Sequence, residues 1–252
     1  MESDPLWDSS EIVRDHLIPR RYHVACCDST MSQADAMLER ENIELPFVLT
    51  TDHQRRGQGT HGRRWEDAPA TSLMATILLP PSLADALLPL RMGTAVCDLL
   101  CGLGARDVAL KWPNDCLCGN RKVAGILCRH GARRVAVGIG INVTSTPEVN
   151  GSTSVYEALG GGTQVSPFRL REPLLNRCAE LLTAPAQRVP RMCRRYLWRR
   201  GSTVRVAEVT GEAFEATVVD IAADGALVVD RCSAGPGMRV RHLVRAGRIS
   251  LP

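Results

Sequence analysis

With 252 residues, 44% hydrophobic and 23% charged, the chain can bury a core of normal size and has the composition of a globular protein. Its net charge of +4 is too mild for the dense basic face of a typical nucleic-acid-binding protein. No apolar run approaches the roughly 20 residues of a membrane span, and the acidic N-terminus MESDPLWDSS lacks the apolar segment of a secretory signal. We therefore expect a cytoplasmic protein that binds neither nucleic acid nor membrane.

Ten cysteines are spread along the chain, and none of them shows the C-x-x-C spacing of zinc and redox sites. In a reducing compartment such thiols stay free and pack as small apolar side chains. We expect free, mostly packed thiols and no structural metal.

The first part of the chain predicts strands that alternate with helices. Residues 1–20 show no clear period and are expected to form an N-terminal tail. Strands are predicted at 21–27, 46–52 and 71–80, of which the last is apolar enough to be buried on both faces. A helix is predicted after residue 28, with Ser29, Thr30 or Ser32 as its N-cap. A second helix is predicted over about 82–104, bent or broken near Pro89.

The middle of the chain predicts an antiparallel meander over 116–143. A strand over 108–113 precedes it, and the turn signals GN and HGAR separate its apolar or alternating runs. Residues 150–166 are predicted to be loop. Ser166-Pro167 then opens a helix that continues to about residue 183, with more helix around 187–199.

The composition changes near residue 201. Short runs rich in Val and Thr follow, separated by the turns TG, DG and GPG, and no helical period appears. This pattern predicts a small antiparallel barrel or sandwich of about 50 residues.

One loop carries an unusual concentration of glycine and charge, QRRGQGTHGRRW at 54–65. Glycines at 57, 59 and 62 allow the backbone to approach a ligand and expose N–H groups to an anion. Arg63 and Arg64 supply forked donors suited to carboxylate or phosphate, and Trp65 could cover a flat ring. The alternative interpretation is a mobile basic surface loop.

Three further motifs lie within the predicted sheet. KWPND (111–115) offers a cation, an aromatic plane and oxygen ligands for Mg²⁺, or is simply a strand end with a turn. RKVAGIL (121–127) places Lys122 before an apolar strand that Gly125 interrupts, although a solvated hairpin lysine is the simpler interpretation. GIGINV (138–143) ends in Asn142, which could read the edge of a base or cap a turn. Together with the loop these motifs offer what ATP needs, in neither a Walker nor a kinase pattern.

In their order along the chain, these motifs resemble those of the biotin–protein ligases. DSTMSQADAMLER resembles the segment that opens the first helix of that family, and HQRRGQGTHGRRW its glycine–arginine loop. KWPND is identical to the family signature, and RKVAGIL and GIGINV match two further segments. The resemblance implies an α+β fold: a central mixed or antiparallel sheet flanked by helices, of the class II synthetase-like type. It also implies a catalytic domain at 21–200 and an SH3-like β-barrel at 201–252.

The resemblance implies an ATP-dependent ligase that forms biotinyl-5′-AMP and then transfers biotin to a lysine of a biotin carboxyl carrier domain, with ATP and Mg²⁺ required. The implied biotin-binding residues are Ser29, Thr30, Gln54, Gly57, Thr60 and Lys122. The implied ATP- and adenylate-binding residues are Arg63, Trp65, Asn114 and Asn142. Lys122, Arg63, Asp115 and Lys111 would be catalytic, and Asp115 would also hold Mg²⁺ through the phosphates.

The sequence departs from the family pattern at three loop and helix positions. Gln58 and Thr60 replace arginines in the glycine–arginine loop, and Met31 replaces an asparagine. With fewer cations the loop is expected to hold the adenylate less tightly, while Arg63 and Lys122 preserve activity. Only some 20 residues precede the first predicted strand, too few for an N-terminal winged helix, so no DNA-binding role is expected. The oligomeric state stays open, with a homodimer as one option.

Two alternatives compete with a biotin ligase. A lipoate–protein ligase or octanoyl transferase shares the fold and the type of acceptor domain, but lacks KWPND together with this loop. A non-catalytic binding module or repressor would use the C-terminal barrel for partners. The retained Arg63, Asp115 and Lys122 argue against that second alternative.

Overall fold

The computed structural model describes residues 17–41, 43–149, 151–232 and 239–252. A seven-stranded sheet forms the centre of the molecule. Its strands are β1 (Arg20–Cys27), β2 (Phe47–Gln54), β3 (Ser72–Leu79), β4 (Val108–Lys111), β5 (Asp115–Cys118), β6 (Arg121–His130) and β7 (Val135–Asn142). The helices are α1 (Thr30–Glu41), α2 (Leu88–Gly102), α3 (Val155–Ala158), α4 (Pro167–Thr183) and α5 (Val189–Arg194).

The strand order β1-β2-β3-β7-β6-β5-β4 makes the sheet mixed. β1 and β2 are parallel, because α1 connects them as a crossover, and the other neighbouring pairs are antiparallel. The meander predicted over 116–143 is therefore confirmed as β5, β6 and β7.

Helices cover both faces of this sheet. α1 packs on one face, where Met31, Ala34 and Met37 contact Phe47 and Leu49. The opposite face carries the larger core, to which α2, α4 and α5 contribute. The apolar strand β3 is buried along its whole length because it lies under helices on both faces.

A second sheet follows from residue 203. It consists of β8 (Thr203–Glu208), β9 (Ala213–Ile221), β10 (Leu227–Cys232), β11 (Arg239–Val244) and β12 (Gly247–Ser250), in the order β11-β10-β9-β8-β12. All of its neighbouring strands are antiparallel. Val204, Val206 and Val229 belong to the same core cluster as α2, so the two sheets share one continuous apolar interior. The predicted fold class, a mixed sheet flanked by helices with a small C-terminal β domain, is confirmed.

Three predicted elements differ from the structure. α2 begins at Leu88 and is not bent at Pro89, because a proline in the first helical turn removes no intrahelical hydrogen bond. The predicted loop contains α3, whose first turn is capped by Ser154 Oγ accepting from Glu157 N at 3.3 Å. The predicted helix over 187–199 ends at Arg194, because the next residues pair with the free edge of β4.

The pairing that ends this helix joins Leu110 of β4 to the chain around Leu197. Leu110 N donates to Tyr196 O at 2.6 Å, and Trp198 N donates to Leu110 O at 3.0 Å. These bonds satisfy backbone groups that an edge strand would otherwise expose.

Most of the N-terminal tail predicted over 1–20 lies outside the described residues, as do the GPG turn at 235–237 and the thiol of Cys232. The described end of that segment is not a tail, because Ile18 is fully buried in the larger core and Arg20 begins β1. The other nine cysteines are free, and six of them are buried, as the composition predicted. Within the described ranges, no helix is long and apolar enough to cross a membrane.

Candidate functional site

The site forms on the sheet face that carries α1, beside the helix, where glycines leave the strands bare. Ala136 packs under α1, so the alternating residues Gly138, Gly140 and Asn142 face the same side of β7. Gly125 of β6 pairs with Gly140 and adds to this floor. A Cβ atom at Gly140 would lie only 2.6 Å from Cζ2 of Trp65, so the indole needs a glycine beneath it.

A cavity of about 480 Å³ opens on this floor, and we call it the inner cavity. Its polar lining consists of Ser29, Thr30, Gln54, Gln58, Thr60, Asn114 and Lys122. Its apolar lining includes Met31, Met74 and Ile126, with Gly125, Gly138 and Gly140 below.

A chain of hydrogen bonds orients the polar end of the inner cavity. Thr76 Oγ1 donates to Thr30 Oγ1 at 2.8 Å, and Thr30 Oγ1 donates to Gln54 Oε1 at 3.0 Å. Gln54 Oε1 also accepts from the backbone N–H of Thr30 at 2.8 Å, at the start of α1. Both bonds use the oxygen of Gln54, so its Nε2 is left to donate into the cavity. Ser29 Oγ is buried without a partner and is a second polar group free for a ligand.

The glycine–arginine loop folds as a hairpin over this cavity. Trp65 N donates to Gly57 O at 3.0 Å, and Gly59 N donates to Arg63 O at 2.7 Å. Arg129 of β6 donates from Nη2 to Gln58 Oε1, which ties the loop to the far side of the cavity. The backbone of the loop therefore closes over the site as a hydrogen-bonded hairpin, while its four arginine side chains stay exposed.

A larger cavity of about 1470 Å³ lies on the other side of Trp65, and we call it the outer cavity. Trp65 and Lys122 line both cavities and so mark their junction. Lys122 Nζ lies 2.5 Å from Asp115 Oδ1 and 5.8 Å from the centre of the Trp65 ring. Arg63, Arg64 and Lys111 also line the outer cavity, which gives it a cationic wall beside the carboxylates of Asp115 and Glu66.

Lys122 reaches this junction because β6 carries a β-bulge. The β5–β6 register shifts between Cys116 and Leu117, opposite the segment between Lys122 and Ala124. In a regular strand, residues three apart face opposite sides, yet the Lys122 side chain lies 3.1 Å from where a Cβ of Gly125 would stand. The extra residue re-aims Lys122 onto the glycine floor.

Asn142 presents one acceptor to the outer cavity. Its Nδ2 donates to Thr153 O at 3.0 Å, whereas its Oδ1 is buried without a partner. The segment 151–153, to which Thr153 belongs, also holds the backbone of Lys122. Lys122 N donates to Gly151 O at 2.7 Å, and Thr153 N donates to Lys122 O at 2.9 Å. A buried acceptor of this kind suits the amino group of an adenine ring.

A third cavity, of about 1060 Å³, lies between the KWPND motif (111–115) and the second sheet, and we call it the barrel cavity. Arg205 of β8 and Arg248 of β12 line it together with Arg63, Lys111 and Asp115. Burial lowers the pKa of Lys111; Lys122, Arg63 and Arg248 lower it further by repulsion, and Asp115 opposes them. The two arginines of the second sheet extend the cationic wall of the outer cavity.

The structure brings nearly all of the sequence-predicted site residues into these connected cavities. The exception is Gly57, which lies in the loop stem, where a Cβ would stand 2.6 Å from Trp65 O, and does not line a cavity. Sequence reasoning missed Thr76, Arg205, Arg248, Trp198 and the 151–153 segment. Trp198 lies under Lys111 Nζ, 5.2 Å from its ring centre. Lys111 and Lys122 are also the only two lysines in the sequence, and this scarcity was a signal that could have singled out both as site residues.

The model of the Biotin/lipoate A/B protein ligase family matches residues 24–145, just under half of the chain, and this match includes the loop and all three signature motifs. Biotin–acetyl-CoA-carboxylase ligase of Mycobacterium tuberculosis is 37% identical over 108 residues, which cover 40% of this chain and 41% of that protein. The Paracoccus denitrificans protein of the same name is 42% identical over 136 residues, 50% of this chain and 55% of that protein. The chain thus matches about half the length of these relatives.

Solved structures match over more of the chain. The biotin protein ligase from Aquifex aeolicus in complex with biotin and ATP superimposes with a TM-score of 0.79 at 22% identity, covering 92% of this chain and 99% of that one. At this identity the match establishes the fold, including the second sheet.

Proposed function

We propose that this chain belongs to the Biotin/lipoate A/B protein ligase family and is a biotin–protein ligase, which forms biotinyl-5′-AMP from biotin and ATP and transfers biotin to a lysine of a biotin carboxyl carrier domain. The observation that carries this proposal is the junction of the inner and outer cavities at Lys122 and Trp65. Two joined cavities suit a reaction in which a small acid meets a nucleotide. The names of the relatives, and the biotin and ATP bound in the Aquifex aeolicus protein, support the choice of substrates.

Biotin occupies the inner cavity, with its cyclic urea at the polar end. The urea carbonyl accepts from Gln54 Nε2, and Ser29 Oγ and Thr30 meet the urea N–H edge. Thr60 and the backbone at Gly59 close the loop over the ring. The carboxylate then points along the glycine floor toward Lys122.

ATP occupies the outer cavity. Asn142 Oδ1 accepts from the amino group of adenine, and Trp65 stacks beside the ring. Arg63 and Lys111 hold the phosphates, Asn114 faces them from the adjoining barrel cavity, and Arg205 and Arg248 neutralise the outermost ones. Arginine forks suit phosphate oxygens because they donate two parallel hydrogen bonds.

The chemistry needs positioning and charge neutralisation rather than a protein nucleophile. A carboxylate oxygen of biotin attacks the α-phosphorus, the bond to the bridging oxygen breaks, and pyrophosphate leaves. Lys122 lies where the two anions approach each other and stabilises the charge that they share. In the second step the acceptor amine attacks the acyl carbon and AMP leaves, with Asp115 available to take the proton of the amine.

The residues fit Mg²⁺, although no described cluster of three metal-binding side chains exists. Mg²⁺ keeps several waters and is commonly held by one carboxylate together with substrate phosphates. Asp115 is such a carboxylate, and its Oδ1 lies 2.5 Å from Lys122 Nζ. When bound, the ion would neutralise phosphate charge.

The partner and the setting are proposals of the same kind. The carrier is the biotin-accepting domain of a carboxylase, as the names of the relatives suggest. A cytoplasmic location and a homodimer stay predictions.

Pyrophosphate release tests the proposal without an acceptor protein. Purified protein with Mg·ATP is given biotin or lipoate, and we expect release that requires biotin and disappears in Lys122→Ala. Arg177→Ala, an exposed cation on α4 paired with Glu180, is the matched control and should keep the activity. If lipoate but not biotin supports release, the lipoate-ligase alternative is assigned. If neither substrate supports release, a binding module is favoured.

A further inference from the structure

The glycine–arginine loop returns to the end of β2 at which it left the sheet. The loop leaves the sheet after Gln54 and returns through Trp65 to Asp67. The Asp67 side chain is fully buried, and its Oδ2 accepts from His53 Nδ1 at 3.0 Å and from Gln54 N at 3.4 Å. One carboxylate oxygen thus joins the exit of the loop to its entry.

This contact lies between two groups that face the ligand. Gln54, whose backbone Asp67 holds, presents its carboxamide to the inner cavity. Trp65, two residues before Asp67, lies over Gly140 and beside Lys122. A shift of Asp67 would therefore move both the urea-binding amide and the indole that separates the cavities.

Asp67 is an unusual choice for a merely structural position. Its Oδ1 is buried without a partner, and burial raises the pKa of this carboxyl against the opposing effects of His53, Gln54 N and Arg64. A folded pKa above the unfolded value means that this group stabilises the fold only at acid pH, an effect lost as pH rises through the folded pKa.

From this geometry we propose that Asp67 and His53 are positioning residues, which clasp the loop so that Gln54 and Trp65 hold biotin and its adenylate. The proposal rests on the proposed function. Asp67 acts as a hydrogen-bond acceptor, and His53 acts through its Nδ1–H donor. Neither touches the reacting atoms.

Two pairs of variants separate the effect of losing the hydrogen bond from the effect of changing the size of the side chain. Asp67→Ala removes the acceptor, whereas Asp67→Asn keeps an acceptor oxygen. His53→Leu removes the donor, whereas His53→Asn places an N–H close to the original Nδ1. His242→Leu breaks a matched half-buried pair with Glu208 in the second sheet, where Nε2 lies 2.7 Å from Oε1.

The kinetic readout is the biotin dependence of pyrophosphate release, measured below the melting temperature of every variant. We expect Asp67→Ala and His53→Leu to raise the KM for biotin about tenfold with a much smaller change in kcat, because they misplace a group that binds substrate and transition state alike. The two asparagine variants and His242→Leu should stay near the wild type. Equal losses in the alanine and asparagine variants of Asp67, or no loss in either, would overturn the proposal.

A second readout works even if the protein proves inactive. Trypsin can cut the loop at Arg55, Arg56, Arg63 and Arg64, and we expect Asp67→Ala to speed cleavage there while Asp67→Asn does not. An inactive wild type with this cleavage pattern would refute the proposed function but leave the clasp standing. Unchanged cleavage in Asp67→Ala would overturn the clasp whatever the activity.

Discussion

Gly140 shows how a single missing side chain can define a site. A Cβ atom at Gly140 would lie 2.6 Å from Cζ2 of Trp65, closer than real Cβ atoms come, while the neighbouring strands keep a regular antiparallel register around it. The indole therefore rests on backbone, and the ring divides the inner from the outer cavity. A methyl group at this position would act on the ring alone.

Gly140→Ala should lower biotin-dependent pyrophosphate release about tenfold or more, because a misplaced ring disturbs the alignment of the two substrates. The melting temperature should change little, since Trp65 can swing toward solvent without opening the core. Gly102→Ala, at the end of α2 with open space around its Cβ, is the control. Undiminished release in Gly140→Ala would show that the indole is not needed where it lies.

For individual residues, the sequence predicted which side chains belong to the site better than it predicted how they reach it. Lys122, Asp115 and Asn142 were identified from residue type and motif, and the structure brings them to connected cavities. The motif could not show that Lys122 needs a β-bulge to reach the junction, since a bulge depends on how two strands pair. Thr76 looked like one more residue of an apolar strand. Only the fold places its hydroxyl beside Thr30.

Among the elements, the junction of β1, β2 and α4 contains a polar cluster away from the site. His23 contacts Thr50 Oγ1 at 3.1 Å and Asp52 Oδ2 at 3.2 Å, and Arg171 of α4 bonds to Asp52 at 3.3 Å. Arg21 and Glu172 pair alongside at 2.9 Å. Burial, and then the positive charge of Arg171, lower the pKa of His23, against the raising effects of Asp52 and Thr50.

The sign of this shift predicts a loss of stability in acid. A lowered folded pKa means that the unfolded chain takes up the proton first, so the free energy of unfolding falls as pH drops below about 6.5 toward the folded pKa. Wild type should therefore lose more stability between pH 7 and pH 5 than His23→Gln, which cannot titrate. Denaturant unfolding at the two pH values measures this difference. Parallel losses in both proteins would contradict the assignment.

The elements that sequence patterns missed are those that depend on tertiary partners. Alternation and turn residues predicted β5, β6 and β7, because those signals are local. The segment after α5 has local helical character, but the open edge of β4 pairs with Leu197 instead. α3 was hidden in a glycine-rich stretch and depends on one capping serine.

Taken as a whole, the molecule builds its cationic wall from both sheets. Arg63 and Lys111 belong to the first sheet and its loop, while Arg205 and Arg248 come from β8 and β12. None of these four has a salt bridge to another part of the described chain, so their charge is available to an anion. The second sheet is therefore part of the proposed ATP site as well as of the shared core.

Arg205→Gln and Arg248→Gln should each raise the KM for ATP about threefold, the size expected for an exposed charge pair. The effect should shrink at high ionic strength because salt screens exposed charges, and the KM for biotin should not change. Arg241→Gln in β11, where the arginine pairs with Asp230, is the control. If neither substitution changes the KM for ATP, the second sheet takes no part in nucleotide binding.

The placement of lysine has a consequence for the fate of the proposed product. A mixed anhydride that escapes from a ligase acylates any ε-amine that it meets, and the nearest protein is the ligase itself. In this chain 29 of the 31 basic residues are arginine, since only Lys111 and Lys122 are lysine, and arginine offers no such amine. Both lysines face the cavities, and Lys122 is ion-paired. The surface outside the cavities therefore carries no lysine side chain that an escaped adenylate could label in place of the carrier.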